Sequence, residues 1–419
     1  MTLLATLLLI LAATLGMPLF VVLGAGGLLA TAGQQLDSAI LIVEMNRLAT
    51  SPNLVAIPLF TLAGVTLAAG GAPQRLIRVF NAMFGWLPGG LAIVALTSCA
   101  FFTAFSGASG VTILALGGLL YPMLTGVGYR ERFSLGLLTS SGSLGLLFPP
   151  SLPLILYGLV AKVSIDQLFT ASAVPGVLLL VMLGLYALWT GKRAGVQRTP
   201  FSFERVVRAA KAAAWEIPLP FIIIGGIYAG WFTASEAAAV MAFYVLVVEV
   251  FIYRDLAWGD LPGVIGRAMT LVGAILIVLG TALGLTNYLI DAEVPTKIFE
   301  WLHLYIGSKT VFLLALNAFL LVVNMVEIFS AIIIVVPIIV PIAAQYGIDP
   351  IHLGVLFLLN LEIGYMTPPL GLNLFLSRSR FDAPLGKLYA ATLPFWLMML
   401  GALALVTYVP SLSLCLLKR

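Results

Sequence analysis

The side chains able to do chemistry in this chain sit where its apolar runs break. Phe105-Ser106-Gly107-Ala108-Ser109-Gly110 interrupts one run, and Asn324-Met325-Val326-Glu327-Ile328-Phe329-Ser330 interrupts another. Two further breaks centre on consecutive prolines. Gly145-Leu146-Leu147-Phe148-Pro149-Pro150 follows Ser141 and Ser143, and Gly364-Tyr365-Met366-Thr367-Pro368-Pro369 precedes Asn373. Proline lacks an N–H and clashes with the carbonyl four residues back, so each pair frees main-chain carbonyls. Free carbonyls with hydroxyl and carboxylate oxygens suit a hard cation, and half-helix N-termini attract anionic groups. One sodium site is accordingly expected from Ser106, Ser109, Ser141, Ser143 and Gly145, and a second from Glu327, Ser330, Gly364 and Thr367. Ser106, Ser109, Ser143, Ser151, Thr367 and Asn373 are the candidate substrate contacts. Small residues also permit close helix packing, and serine can bond back to its own helix, so any one serine has a purely structural alternative.

The two Pro-Pro motifs lie 219 residues apart, and the same shift aligns Pro122 with Pro341, Gly128 with Gly347 and Pro175 with Pro394. Two halves therefore share a plan in which each breaks a helix at the same place. Paired broken helices in corresponding halves point to the binding site of a secondary transporter.

The elements that position these breaks cross a membrane. Hydrophobic residues make up 61% of the 419, charged residues 9%, and mean hydropathy is +1.12, against roughly 25% charged in soluble domains. Apolar stretches long enough for about 30 Å of hydrocarbon recur throughout. Expected spans are 2–15, 17–32, 54–71, 133–162 (interrupted) and 172–190, then 216–231, 234–253, 267–290, 351–378 (interrupted) and 388–410. The stretches 89–124 and 309–345 are too long for one helix and read as re-entrant hairpins, whose irregular tips are tolerated only inside protein or beside a wet cavity. The fold expected is an all-α polytopic membrane protein of two inverted-topology repeats. The first covers 1–190, with its crossover at 141–153. A basic linker covers 191–215, and the second repeat covers 216–419, with its crossover at 362–373. Each repeat holds five spans plus one hairpin, and an odd number turns the second repeat upside down.

Charge sets the orientation. Fifteen of the 21 basic residues, from Arg75 to Lys387, fall on one set of loops, and Arg47, Lys162, Lys297, Lys309, Lys418 and Arg419 on the other. The positive-inside rule places the first set, including the linker, in the cytoplasm, which leaves both termini outside. No basic residue precedes the N-terminal apolar run, which continues to about Ala30 through a Gly16-Met17-Pro18 break, so it reads as two short helices rather than a signal peptide.

Enzyme chemistry finds no support. There is no Gly-x-Ser-x-Gly elbow, His-Glu-x-x-His or P-loop. Cys99 and Cys415 are far apart, and His303 and His352 are isolated, so neither a disulfide framework nor a His-ligated metal is expected. Without ATP hydrolysis, the driving force is an ion gradient or comes from another chain. Among the acids, Glu327 suits a hairpin tip. Glu362 either faces the same cavity or pairs locally. Glu236 follows Thr233 at capping-box spacing, and Glu249 is expected to reach the cytoplasmic interface.

Longer runs carry a resemblance. Phe105 to Gly110 with Gly117 to Pro122, Gly142 to Gly158, Gly225 to Val240, Val336 to Pro341, Gly347 to Pro350 and Gly364 to Phe375 together resemble the large membrane subunit of tripartite ATP-independent periplasmic (TRAP) transporters. The resemblance implies a sodium-coupled importer of the bacterial or archaeal inner membrane, moving small carboxylates or sulfonates by an elevator mechanism. It implies two partners, a periplasmic substrate-binding protein and a small four-helix membrane subunit, the latter expected as a separate chain. It also places sodium at hairpin tips and crossovers. Val323, Glu327 and Ile328 depart from the Gly, Asp and Pro or small residue usual at the second tip. The alternative is a stand-alone organic-anion permease of the same superfamily without a binding protein.

Overall fold

The computed structural model describes residues 7–417 except 10, 14, 16, 34–38, 197–199 and 324–327. Every regular element among the described residues is helical. Among the described residues, six helices are long and apolar enough to cross a membrane, or up to eight if each bent pair counts as one span. Such structures satisfy their backbone polar groups internally, which hydrocarbon requires.

The halves match element by element under the 219-residue shift. Gly90–Ser106 corresponds to Lys309–Val323, Ser109–Gly126 to Ile328–Gln345, Leu152–Ala161 to Leu372–Phe381, and Ile165–Ala194 to Leu385–Tyr408. Gly128 and Gly347, which the shift also relates, both adopt positive φ (102° and 68°) and end their arms. A side chain there would be strained, so glycine serves both turns.

Packing exchanges the halves. The arm Ser109–Gly126 of the first hairpin lies against Leu372–Phe381, and the arm Ile328–Gln345 of the second lies against Leu152–Ala161. The first broken helix (Glu131–Ser141, then Leu144–Leu147, then Leu152–Ala161) meets Leu385–Tyr408. The second (Pro350–Gly364, then Leu372–Phe381) meets Ile165–Ala194. A second group forms where Leu261–Asp291 packs on Leu19–Gly33, Ala39–Ala49 and Ala56–Ala69, with Ala234–Val247 alongside, and it meets the hairpins where Leu261–Asp291 touches Ile328–Gln345 and Ala56–Ala69 touches Gly90–Ser106.

Most expected spans appear with shifted ends; 172–190 and 267–290 extend to Ile165–Ala194 and Leu261–Asp291. Several helices escape the hydropathy reading, Phe203–Ala212 of the linker among them. Glu44, Asn46 and Arg47 interrupt the apolar run of Ala39–Ala49. Ala72–Phe84 and Val294–His303 are amphipathic and precede the two hairpins. Ala56–Ala69 and Ala72–Phe84 meet at 74° across Gly70-Gly71.

That bend explains why Glu249 does not reach the interface. Its carboxylate is fully buried and takes Arg75 Nη2 at 3.1 Å. Arg75 also bonds Glu216 and, at 2.5 Å, Asp255 Oδ2, while its guanidinium stacks 3.8 Å over the Tyr253 ring. Asp255 Oδ2 accepts from Gly71 N at 2.9 Å. Burial works to raise the Asp255 carboxyl, but the Arg75 guanidinium and the Gly71 N–H hold it below the usual range. One arginine with three acids thus fixes the bend, as charged groups this buried require partners.

Candidate ion- and substrate-binding site

The first hairpin turns through Gly107 and Ala108. Gly107 has φ of 65° and its N–H caps Thr103 O at 2.8 Å, closing the arm. Ser106 and Ser109 flank the turn and are both 3% exposed. Ser141 and Ser143 are fully buried at the first crossover. The turn and the crossover touch directly. A Cβ on Gly145 would stand 2.2 Å from Ala100 O and 2.4 Å from Ala104 N, and one on Gly142 would stand 3.6 Å from Ser109 O. The first expected cluster is therefore assembled. Among its serine hydroxyls, Ser106 bonds Ala108 O at 3.4 Å, Ser141 bonds Leu138 O at 3.4 Å, and Ser143 bonds Ser140 O at 3.5 Å, all long and local.

The cross-link that holds this cluster is one the sequence reading missed. Thr103 Oγ1 donates to Gly142 O at 2.8 Å and pairs with Thr112 Oγ1 at 2.6 Å. Thr103 lies inside an unbroken apolar arm, three residues before Ser106. The available signal was a hydroxyl within one turn of a break, with another at residue 112.

Glu327 and the rest of the second tip, 324–327, lie outside the described residues. Ser330 sits half-buried in the first turn of the following arm, whose Ile328 N–H donates to Tyr365 OH at 3.1 Å. Tyr365 belongs to the second crossover, so this tip also meets its own half's crossover. Gly364 is buried, and Thr367 donates to Ile363 O at 2.8 Å while accepting from Trp396 Nε1 at 2.9 Å. Both Pro-Pro bonds, Pro149-Pro150 and Pro368-Pro369, are cis.

Asn373, expected beside Thr367, instead joins the two halves. Its Nδ2 donates to Thr139 O at 3.2 Å, and Thr139 Oγ1 donates to Ser377 Oγ at 2.8 Å. The two broken helices are thus bridged by Thr139, Asn373 and Ser377. Several buried oxygens nearby have no hydrogen-bond partner among the described residues. They are Ser151 Oγ, Asn373 Oδ1, Ser98 Oγ and both oxygens of Glu362. Glu362 is fully buried on the helix Pro350–Gly364, which packs against the Leu144–Leu147 segment of the first crossover. An unpaired polar group in an apolar interior costs about 1–3 kcal/mol. Such a set of acceptors suits a cation or a donor-bearing ligand. Glu236 has the structural role expected of it: it completes a capping box with Thr233, whose N–H it accepts at 2.8 Å.

The comparisons with known proteins bear on this geometry. Residues 3–412 match the family model of the tripartite ATP-independent periplasmic transporter, DctM component. The chain belongs to this family. It is a multi-pass TRAP-type permease subunit and not an enzyme. It is 38% identical over 370 residues to the C4-dicarboxylate TRAP transporter large permease protein DctM of Pseudomonas aeruginosa, covering 87% of this chain and 86% of that one. It is 32% identical to the ectoine/5-hydroxyectoine TRAP transporter large permease protein UehC of Ruegeria pomeroyi, covering 96% and 95%. The isethionate TRAP transporter permease protein DctMQ of Oleidesulfovibrio alaskensis is 35% identical, matching 86% of this chain and 57% of its own length. Among solved structures, the YdaH transporter of Alcanivorax borkumensis superposes with a TM-score of 0.64 at 18% identity, covering 97% and 98%. That likeness concerns the fold of this TRAP permease alone.

Proposed function

We propose that this TRAP permease imports a small organic anion across the inner membrane, coupled to sodium, with ions and substrate held at the hairpin turns and crossovers. The observation that carries the reading is the exchanged packing. The second arm of each hairpin lies on the broken helix of the other half, and buried oxygens of Ser151, Asn373 and Glu362, carried by the two broken helices, have no partner among the described residues. Buried oxygens at broken helices near a repeat interface are what ion and substrate sites of secondary transporters require.

The second half lies inverted relative to the first, and both termini face the periplasm. Charge asymmetry of the loops supports that orientation. The hairpins and broken helices form one body that slides as an elevator against the scaffold of Leu19–Gly33, Ala56–Ala69, Ala234–Val247 and Leu261–Asp291. The bent pair at Gly70-Gly71 connects the two bodies in the first half.

The substrate carries a carboxylate or sulfonate. C4-dicarboxylates, isethionate and ectoine, named for the relatives, share that feature. A periplasmic binding protein delivers it, and a small four-helix membrane subunit completes the complex. The DctMQ relative, only 57% of which this chain matches, supports the second partner.

The partners are tested by tagging this chain in its native membranes, extracting it in mild detergent and identifying what accompanies it by mass spectrometry. A stoichiometric small helical membrane protein is expected. A chain that purifies alone would overturn the tripartite reading and favour a stand-alone anion permease.

A further inference from the structure

We propose that a groove formed by Glu131–Ser141, Ile165–Ala194 and Leu385–Tyr408 binds the phosphate headgroup of an anionic phospholipid. The groove encloses about 520 Å³, and Arg130, Arg132 and Arg193 line it. None of the three has a carboxylate partner among the described residues; the neighbouring Glu131 is engaged by Lys387 at 2.6 Å. Basic residues that serve topology alone need only reach water. These three converge on one concavity.

The groove is built around them. Pro394 lies inside its helix and cannot donate to the carbonyl of Ala390, four residues back. Arg132 takes that carbonyl instead, through Nε at 3.1 Å and Nη2 at 2.8 Å. This holds the guanidinium at the groove while its remaining N–H donors stay available, in the planar array that suits phosphate. Arg193 is held 4.4 Å over the Trp189 ring. Thr190 lines the same groove, and its shielded hydroxyl has no partner among the described residues. Other helical threonines here, such as Thr392 and Thr407, bond back to the carbonyl four residues earlier. The Thr190 hydroxyl is therefore a further unused donor.

The remaining wall is aromatic. Tyr186 stacks with Trp189 at 6.0 Å and meets Phe395 edge-on at 5.3 Å. Trp189 is 52% exposed, outside the protein core at the end of a membrane-spanning helix. A ligand with an anionic head and an apolar tail satisfies both surfaces, whereas a free phosphate ion uses only the arginines. By the positive-inside rule the groove faces the cytoplasmic leaflet, whose anionic lipids attract such clusters. The proposal is independent of the sodium and substrate reading.

The test uses the full-length protein with whatever subunits accompany it, in an uncharged detergent. Equal amounts of phosphatidylglycerol and phosphatidylcholine are added, and retained lipid is counted by native mass spectrometry. Preferential retention of phosphatidylglycerol is expected. Arg130→Gln with Arg193→Gln should reduce it by about fivefold per arginine. Lys192→Gln with Lys211→Gln, which removes equal charge outside the groove lining, should leave it unchanged. Equal retention of the two lipids, or equal loss in both double variants, overturns the site. A second arm adds inorganic phosphate alone and follows thermal stability. No stabilisation, together with phosphatidylglycerol retention, supports the lipid. Phosphate stabilisation that the arginine variant loses, without lipid preference, makes the ligand a soluble phosphate and overturns the assignment.

Discussion

At the residue scale, the site is held by hydroxyl groups that satisfy freed carbonyls. Thr103 is the clearest case, because its hydroxyl serves both Gly142 O and Thr112. Thr103→Val keeps the shape and removes the bonds, leaving a buried carbonyl without its donor. A loss of about 1–3 kcal/mol is expected, read as a lower melting temperature in detergent. An unchanged melting temperature would show that the bond adds nothing. Ser106→Ala with Ser109→Ala should fold normally but lower the sodium affinity, measured as sodium-dependent thermal protection against matched choline chloride; unaltered protection would remove these serines from the ion site. The serines were legible because they stand at breaks in apolar runs. Thr103 was not, since nothing interrupts its helix, and the bond from Asn373 to Thr139 spans 234 residues that no local pattern connects.

At the element scale, close backbone approach and a buried charge cluster set the angles. Gly145→Ala would place a methyl 2.2 Å from Ala100 O and 2.4 Å from Ala104 N, both main-chain atoms that cannot swing away. The crossover must then separate from the hairpin, at an overpacking cost of about 1–3 kcal/mol. Transport should fall further than the amount of folded protein in the membrane; equal falls in both would point to folding alone. Arg75→Ala leaves Glu216 and Glu249 buried without their cation and should cost about 3–5 kcal/mol, seen as early thermal unfolding. A wild-type melting curve would show that the clasp is not needed for the bend. The bend itself was hidden in the sequence. Gln74, Arg75 and Arg78 make Ala72–Phe84 look like a polar loop on hydropathy, and only three-dimensional contact shows Arg75 turned inward. The hairpins and crossovers were legible because prolines and small polar residues mark them directly.

For the whole molecule, two helical groups pack within themselves and against each other, and the 219-residue repeat exchanges elements across the centre. An elevator requires these groups to move as bodies. Spin labels at exposed Phe243 on the scaffold and exposed Leu397 on the moving unit should therefore show more than one distance population, redistributed by sodium. A single population, insensitive to sodium, would argue for a fixed arrangement. The central claim is sodium-coupled import through these crossovers. It is tested most directly in proteoliposomes containing the co-purified complex, with the binding protein and the anion that most stabilises it added outside. The account predicts uptake that needs both the binding protein and an inward sodium gradient, and that collapses in the Ser106→Ala, Ser109→Ala variant. Uptake that proceeds equally with potassium replacing sodium would contradict it.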